Sequence, residues 1–236
     1  MIELSYSPAW FSGKDLIIDM VRILILSMVG FFGLKFFFWN KSKKYLLFGI
    51  AMLTIAAAFF FKFIMNFTLS MVETHIIDLP IGTLTRSIVE PTAILFFVGF
   101  FFYRLFLLFG LYILYSVYEK QTWSGIILTS FLLIISTSFS LQSQIVFQSL
   151  LVFHLIALIL SGLITFKFYK LYQANKTKAG SIIAFAFLII TLSFIPFLFL
   201  DFESSFYVAA EILALIGYMV LLLGFILVVK NGKKKN

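Results

Sequence analysis

Residues 91–118, PTAILFFVGFFFYRLFLLFGLYILYSVY, are almost wholly apolar yet carry Arg104 near their middle. A guanidinium keeps its proton, so at membrane depth it needs an acid, water or a route to the interface. Other groups able to do chemistry are sparse. Asp15, Asp19 and Arg22 recur at helical spacing, and Arg22 can pair with Asp19 three residues back. Lys62 ends a small-residue stripe formed by Ala51, Thr54 and Ala58. Ser136, Thr137, Ser138 and Ser140 make a hydroxyl cluster, with Gln148 soon after. His154 shares a helical face with Ser161 and Thr165, and Glu211 interrupts a long apolar run.

These residues suit binding better than catalysis. There are two histidines, His75 and His154, and no cysteine. Seven-helix zinc hydrolases need several histidine ligands, and thiolate sites need cysteine. His154 with Glu211 and Asp201 is the one metal-ligand combination, and a packing histidine is the favoured reading. Ser136 and Ser138 lack the glycine-rich setting of an intramembrane nucleophile. There is no phosphate-binding loop and no dinucleotide turn, so the sequence implies no cofactor.

The elements that must position these groups are membrane spans. The 236 residues are 62% hydrophobic and 12% charged, with a mean hydropathy of +1.10. A soluble domain is nearer half apolar and a quarter charged. A spanning helix needs roughly 20 apolar residues. Such stretches fall at about 16–38, 45–67, 91–118, 124–140, 145–168, 181–200 and 206–229. The expectation is an all-α integral membrane protein, one seven-transmembrane-helix bundle over residues 1–236, with no room for a soluble domain. Residues 1–15 do not read as a cleaved signal peptide. Residues 68–89 read as a connection containing a short amphipathic surface helix, broken at Pro80 and Gly82. Pro91 suits the first position of the third span, and Pro196 should kink or end the sixth. The sequence shows no convincing internal repeat.

Charge sets the expected orientation. On this map thirteen of the fifteen lysines fall on one side, and nine of the ten acids on the other. The positive-inside rule then places the N-terminus outside and the C-terminus in the cytoplasm of a cell-membrane protein. The net charge of +8 reports this orientation and not nucleic-acid binding. Span count and orientation resemble those of microbial rhodopsins and other seven-helix receptors. The seventh span, FYVAAEILALIGYMVLLLGFILVV, has no lysine for a retinal Schiff base.

Asp19, Arg22, Lys62, Ser136, Thr137, Ser138, Gln148, His154, Asp201 and Glu211 all map to the outer half, and the inner half reads as dry. Lys62 is expected to snorkel to the outer interface. Arg104 is expected to meet Glu211 at the floor of an outer polar pocket, with His154 nearby. One reading is a water-filled ligand pocket; the other is a set of inter-helix bonds. The leading functional expectation is a non-enzymatic ligand-sensing module or membrane-complex subunit. With no soluble output domain, a sensor needs a separate membrane or cytoplasmic partner. The alternative is a transporter or channel for a small solute, ion or lipid.

Overall fold

The computed structural model describes residues 7–8, 10–11, 13–78, 84–118, 146–200 and 202–232; side chains are described within 7–68, 95–118, 150–200 and 202–230 of these. Among the described residues lie six α-helices and no strand. They are α1 Lys14–Asn40, α2 Lys43–Asp78, α3 Leu84–Ser116, α4 Val146–Asn175, α5 Lys178–Phe197 and α6 Ser205–Gly232. Each contains a segment long and apolar enough to cross a bilayer. Helices satisfy their own backbone groups, which lipid cannot do. The chain is a multi-pass membrane protein. The expected span at 124–140 lies outside the described residues.

Two expected boundaries shift. The surface helix expected after residue 68 is instead the continuation of α2, a single helix of 36 residues. Its helical periodicity runs on unbroken until the Pro80–Gly82 stretch. α3 begins at Leu84, so Pro91 is its eighth residue and not its first. Apolarity located the membrane segment, whereas the helix extends beyond it through the more polar 84–90. Pro196 falls in the last turn of α5, which ends at Phe197 as expected.

The α1–α2 and α4–α5 turns are alike. The first reads Asn40-Lys41-Ser42-Lys43 and the second Asn175-Lys176-Thr177-Lys178. Lys41 and Lys176 both adopt the left-handed conformation, at φ 52° and 45°. Their amides donate to the carbonyls of Phe37 and Tyr172, each at 2.7 Å. This is the helix-ending geometry that glycine usually supplies. Thr177 then caps α5, its hydroxyl accepting from the Gly180 amide at 3.1 Å.

The likeness extends along the flanking helices at the same offset of 135 residues, the separation of Lys41 from Lys176. Phe31, Lys35, Ala51, Leu53, Ile55 and Phe59 recur as Phe166, Lys170, Ala186, Leu188, Ile190 and Phe194. α3 and α6 correspond through Gly110 and Gly217. A Cβ on Gly110 would meet Ile55 Cγ1 at 2.5 Å and the Ala51 carbonyl at 3.1 Å. A Cβ on Gly217 would meet Ile190 Cγ1 at 2.6 Å and the Ala186 carbonyl at 3.4 Å. The same glycine is thus pressed against the same alanine and isoleucine in both units. Small residues let membrane helices approach this closely.

The units α1-α2-α3 and α4-α5-α6 therefore repeat one another. Within each, consecutive helices pack together; between them, α1 packs on α6 and α3 on α4. Two equivalent interfaces that close on each other define a pseudo-two-fold axis along the bundle. The units run in the same direction. Tyr103 meets Phe153 and Tyr118 meets Phe168, at centroid distances of 5.6 and 5.1 Å, so α3 and α4 are parallel. The sequence missed this duplication because apolar residues interchange freely within it. The turn motif was its one readable signal.

Candidate functional site

The polar residues gather at the end of the bundle formed by the N-terminal parts of α1 and α6 and the C-terminal half of α2. Helical spacing puts Asp19 and Arg22 on the inward face of α1, and Lys62 and Asn66 on the inward face of α2. Asp19, Arg22, Lys62, Asn66 and Glu211 are all buried, from 0% to 8% exposed. Glu211 accepts from Arg22 Nη1 at Oε2 and from Lys62 Nζ at Oε1, both at 2.6 Å. Arg22 Nη2 also donates to the Glu211 carbonyl. Asp19 accepts from Lys62 at 3.3 Å, from Arg22 at 3.4 Å and from Asn66 at 2.9 Å.

Asp19 and Glu211 balance Arg22 and Lys62, and a further acid, Asp15, is buried one turn before Asp19. Lys62 bridges both carboxylates, and its Nζ sits 5.6 Å from the Tyr207 ring. Arg22 lies 5.2 Å from the Phe59 ring. Removing one member would strand a charge in a dry setting, which costs far more than the intact network gains. The bonds from Arg22 and Lys62 to Glu211 cross from one repeat to the other and tie the units together at this end.

This corrects the expected arrangement. Both oxygens of Glu211 are engaged by Arg22 and Lys62, and not by Arg104. Arg104 sits with its Cζ 3.8 Å from the centroid of Phe100 and 5.4 Å from that of Phe153. Lys62 does not snorkel; at 4% exposed it is held inside by its two acids. His154 bonds through Nδ1 to the Leu150 carbonyl at 2.8 Å and stacks on Phe197 at 4.4 Å. That contact is the repeat mate of Asp19–Lys62, with an aromatic pair in place of the ionic one. The expected Asp19–Arg22 pair is present. Ser136, Thr137, Ser138 and Asp201, and the side chain of Gln148, lie outside the described residues. Asn66, which completes the shell of Asp19, was not anticipated. It lies one helical turn beyond Lys62, and that spacing was its available signal.

At the opposite end, where the lysine-rich turns lie, a cavity of about 370 Å³ opens between the units. Its walls are repeat mates facing one another: Gly33 and Phe168, Phe36 and Leu171, Ser42 and Thr177, Phe48 and Ile183, Tyr118 and Phe225. The cavity therefore lies on the pseudo-two-fold axis. Lys44, Tyr45, Asn175 and Thr177 line it and are exposed at its mouth. Burial, with the Tyr45 phenol beside it, pushes the Tyr118 hydroxyl up to about 12, so it remains a neutral donor. Leu26, Val29, Met52, Ile55, Leu107, Leu114 and Leu221, all buried, form the apolar core between the two ends. From Arg22 to Gly33 this layer is about 16 Å deep by helical rise.

The chain matches no family model, no curated protein and no solved structure.

Proposed function

We propose that the chain is a seven-crossing, non-enzymatic carrier for a small solute, with its N-terminus outside and its C-terminus in the cytoplasm. The observation that carries this reading is the axial cavity between two repeats that are tied together at the other end. Repeats related by an axis along the membrane normal are a transporter architecture, with the substrate held between the repeats and alternating access achieved by rocking one against the other. The ionic tie from Arg22 and Lys62 to Glu211 acts as the outer gate, and the basic-end cavity is the inward-open vestibule.

Seven crossings are supported by direction. Three-helix units cannot run parallel unless the chain returns between them, and residues 119–145 are long enough for that return. Orientation is supported by charge. Lys41, Lys43, Lys44, Lys176 and Lys178 occupy the turns at the cavity end, which the positive-inside rule assigns to the cytoplasm. The whole chain then forms one membrane domain. A ligand sensor or complex subunit with a polar pocket built on Arg104, Glu211, His154, Asp19, Arg22, Ser136, Ser138 and Gln148 could use the same bundle. The mutual engagement of Asp19, Arg22 and Glu211 favours a gate over a preformed pocket.

The test uses Val228→Cys, a cavity-lining position, in sealed vesicles. An impermeant thiol reagent should label it from the basic side. The charge-balanced pair Arg22→Met with Glu211→Gln removes the ionic part of the inter-unit tie and leaves Asp19, Lys62 and Asn66. In that background labelling should fall as the cavity closes. Unchanged labelling would leave a static pocket and favour the sensor or subunit.

A further inference from the structure

The axial cavity has a chemical bias toward anions. Its described lining contains one charged group, Lys44, and no acid. Ser42, Thr177, Asn175, Tyr45 and Tyr172 add neutral hydrogen-bonding groups near the mouth. Lys41, Lys43, Lys176 and Lys178 stand in the same two turns, so the entrance concentrates anions. Deeper in, the walls turn aromatic. Phe48 stacks on Phe225 at 5.0 Å, and Phe168 on Phe187 at 4.4 Å. The volume falls in the range of small-molecule sites, roughly 300–1,000 Å³.

We infer that this cavity binds a small soluble organic anion, with its carboxylate or phosphate at Lys44 and the flanking hydroxyls and its apolar body between the phenylalanines. Among the described residues, a cation of the same shape meets only positive charge at the entrance. An inorganic anion leaves the aromatic floor unfilled. The inference names a substrate class for the carrier proposed above, but it concerns equilibrium binding and needs no movement. Its failure would leave the gating experiment standing, and a static cavity would not prevent binding.

The test is calorimetric titration of the full chain in phosphatidylcholine nanodiscs with phenyl phosphate, benzylamine and inorganic phosphate. Phenyl phosphate should bind at least tenfold more tightly than either of the others. Lys44→Gln should weaken it about tenfold, the loss of one charge-assisted hydrogen bond. Lys178→Gln, a neighbouring lysine outside the lining, should change it less than threefold. Val228→Trp should abolish binding by filling the cavity without altering charge; if that variant fails to fold, the two lysine variants decide. Equal losses at Lys44 and Lys178 would mean diffuse surface attraction and overturn the site. Inorganic phosphate binding as well as phenyl phosphate would show an adventitious ion only. No binding in phosphatidylcholine, with phosphatidylglycerol alone retained by the protein, would overturn the soluble ligand in favour of a lipid headgroup.

Discussion

Arg104 and Glu211 stand at equivalent positions in the two repeats, each six residues before the glycine that presses its helix against an isoleucine. Both are fully buried, yet they serve different surroundings. Glu211 holds the cations of α1 and α2, whereas Arg104 rests on the rings of Phe100 and Phe153. One scaffold thus places an acid at one of the two matching positions and a base at the other. The duplication sets the backbone, and the side chains at matching positions have diverged to make one tie between the units.

The ionic network should behave as a coupled unit. Glu211→Gln alone leaves two cations facing one acid and should cost about 3 kcal/mol or more. Arg22→Met alone should cost a similar amount. The double variant restores charge balance, so its loss should be smaller than the sum of the two. Thermal unfolding in detergent, read as a double-mutant cycle, checks this; simple additivity would mean that the residues act independently.

The paired glycines should respond as equivalents. Gly110→Ala and Gly217→Ala each place a Cβ within 2.6 Å of an isoleucine carbon, and each should destabilise by about 1–3 kcal/mol. Gly162→Ala meets only Thr191 Cγ2, at 3.9 Å. It should be neutral or stabilising by up to about 1 kcal/mol, the helix propensity gained. Melting temperatures of the three variants provide the comparison. Equal tolerance at all three would argue against the close α2–α3 and α5–α6 approaches.

The two basic turns hold lysines where glycine is at ease. Lys41→Gly and Lys176→Gly should each stabilise the protein, by up to about 1 kcal/mol, by relieving the left-handed strain. Lys43→Gly, in the first turn of α2, should not. Thermal unfolding of the three variants in one detergent separates these outcomes.

Topology has its own check. Cysteines placed at Ser7 and at Asn236 should react with impermeant reagent from opposite faces of sealed cells. Reaction from one face would mean an even number of crossings.

The spans were legible because lipid demands long apolar runs, and each of the six described helices contains one of those runs; α2 continues past its run to Asp78. α3 likewise starts seven residues before its run, because hydropathy does not report helix that continues past the apolar segment. The Asp19–Arg22 pair was legible from spacing within one helix. The attachment of Lys62 and Arg22 to Glu211 was not, because it depends on which helices are neighbours. Spacing along one helix does not name its neighbours, so the sequence pointed Glu211 to Arg104, whose position it repeats. The cavity was invisible for a related reason. Gly33, Phe48, Phe168 and Phe225 are ordinary membrane residues until the axis brings them together, so the basic half read as dry.

If the two repeats rock against each other as alternating access requires, one end opens as the other closes. Repeat mates give matched probes at each end: Met20 with Leu155 near the ionic tie, and Lys43 with Lys178 at the basic turns. All four are exposed, so spin labels there should disturb packing little. Pulsed electron–electron resonance measures each distance in the otherwise native chain and in the Arg22→Met, Glu211→Gln background. Removing the ionic tie should lengthen Met20–Leu155 and shorten Lys43–Lys178 in the same molecules. Unchanged distances at both ends, or lengthening at both, would contradict the rocking motion.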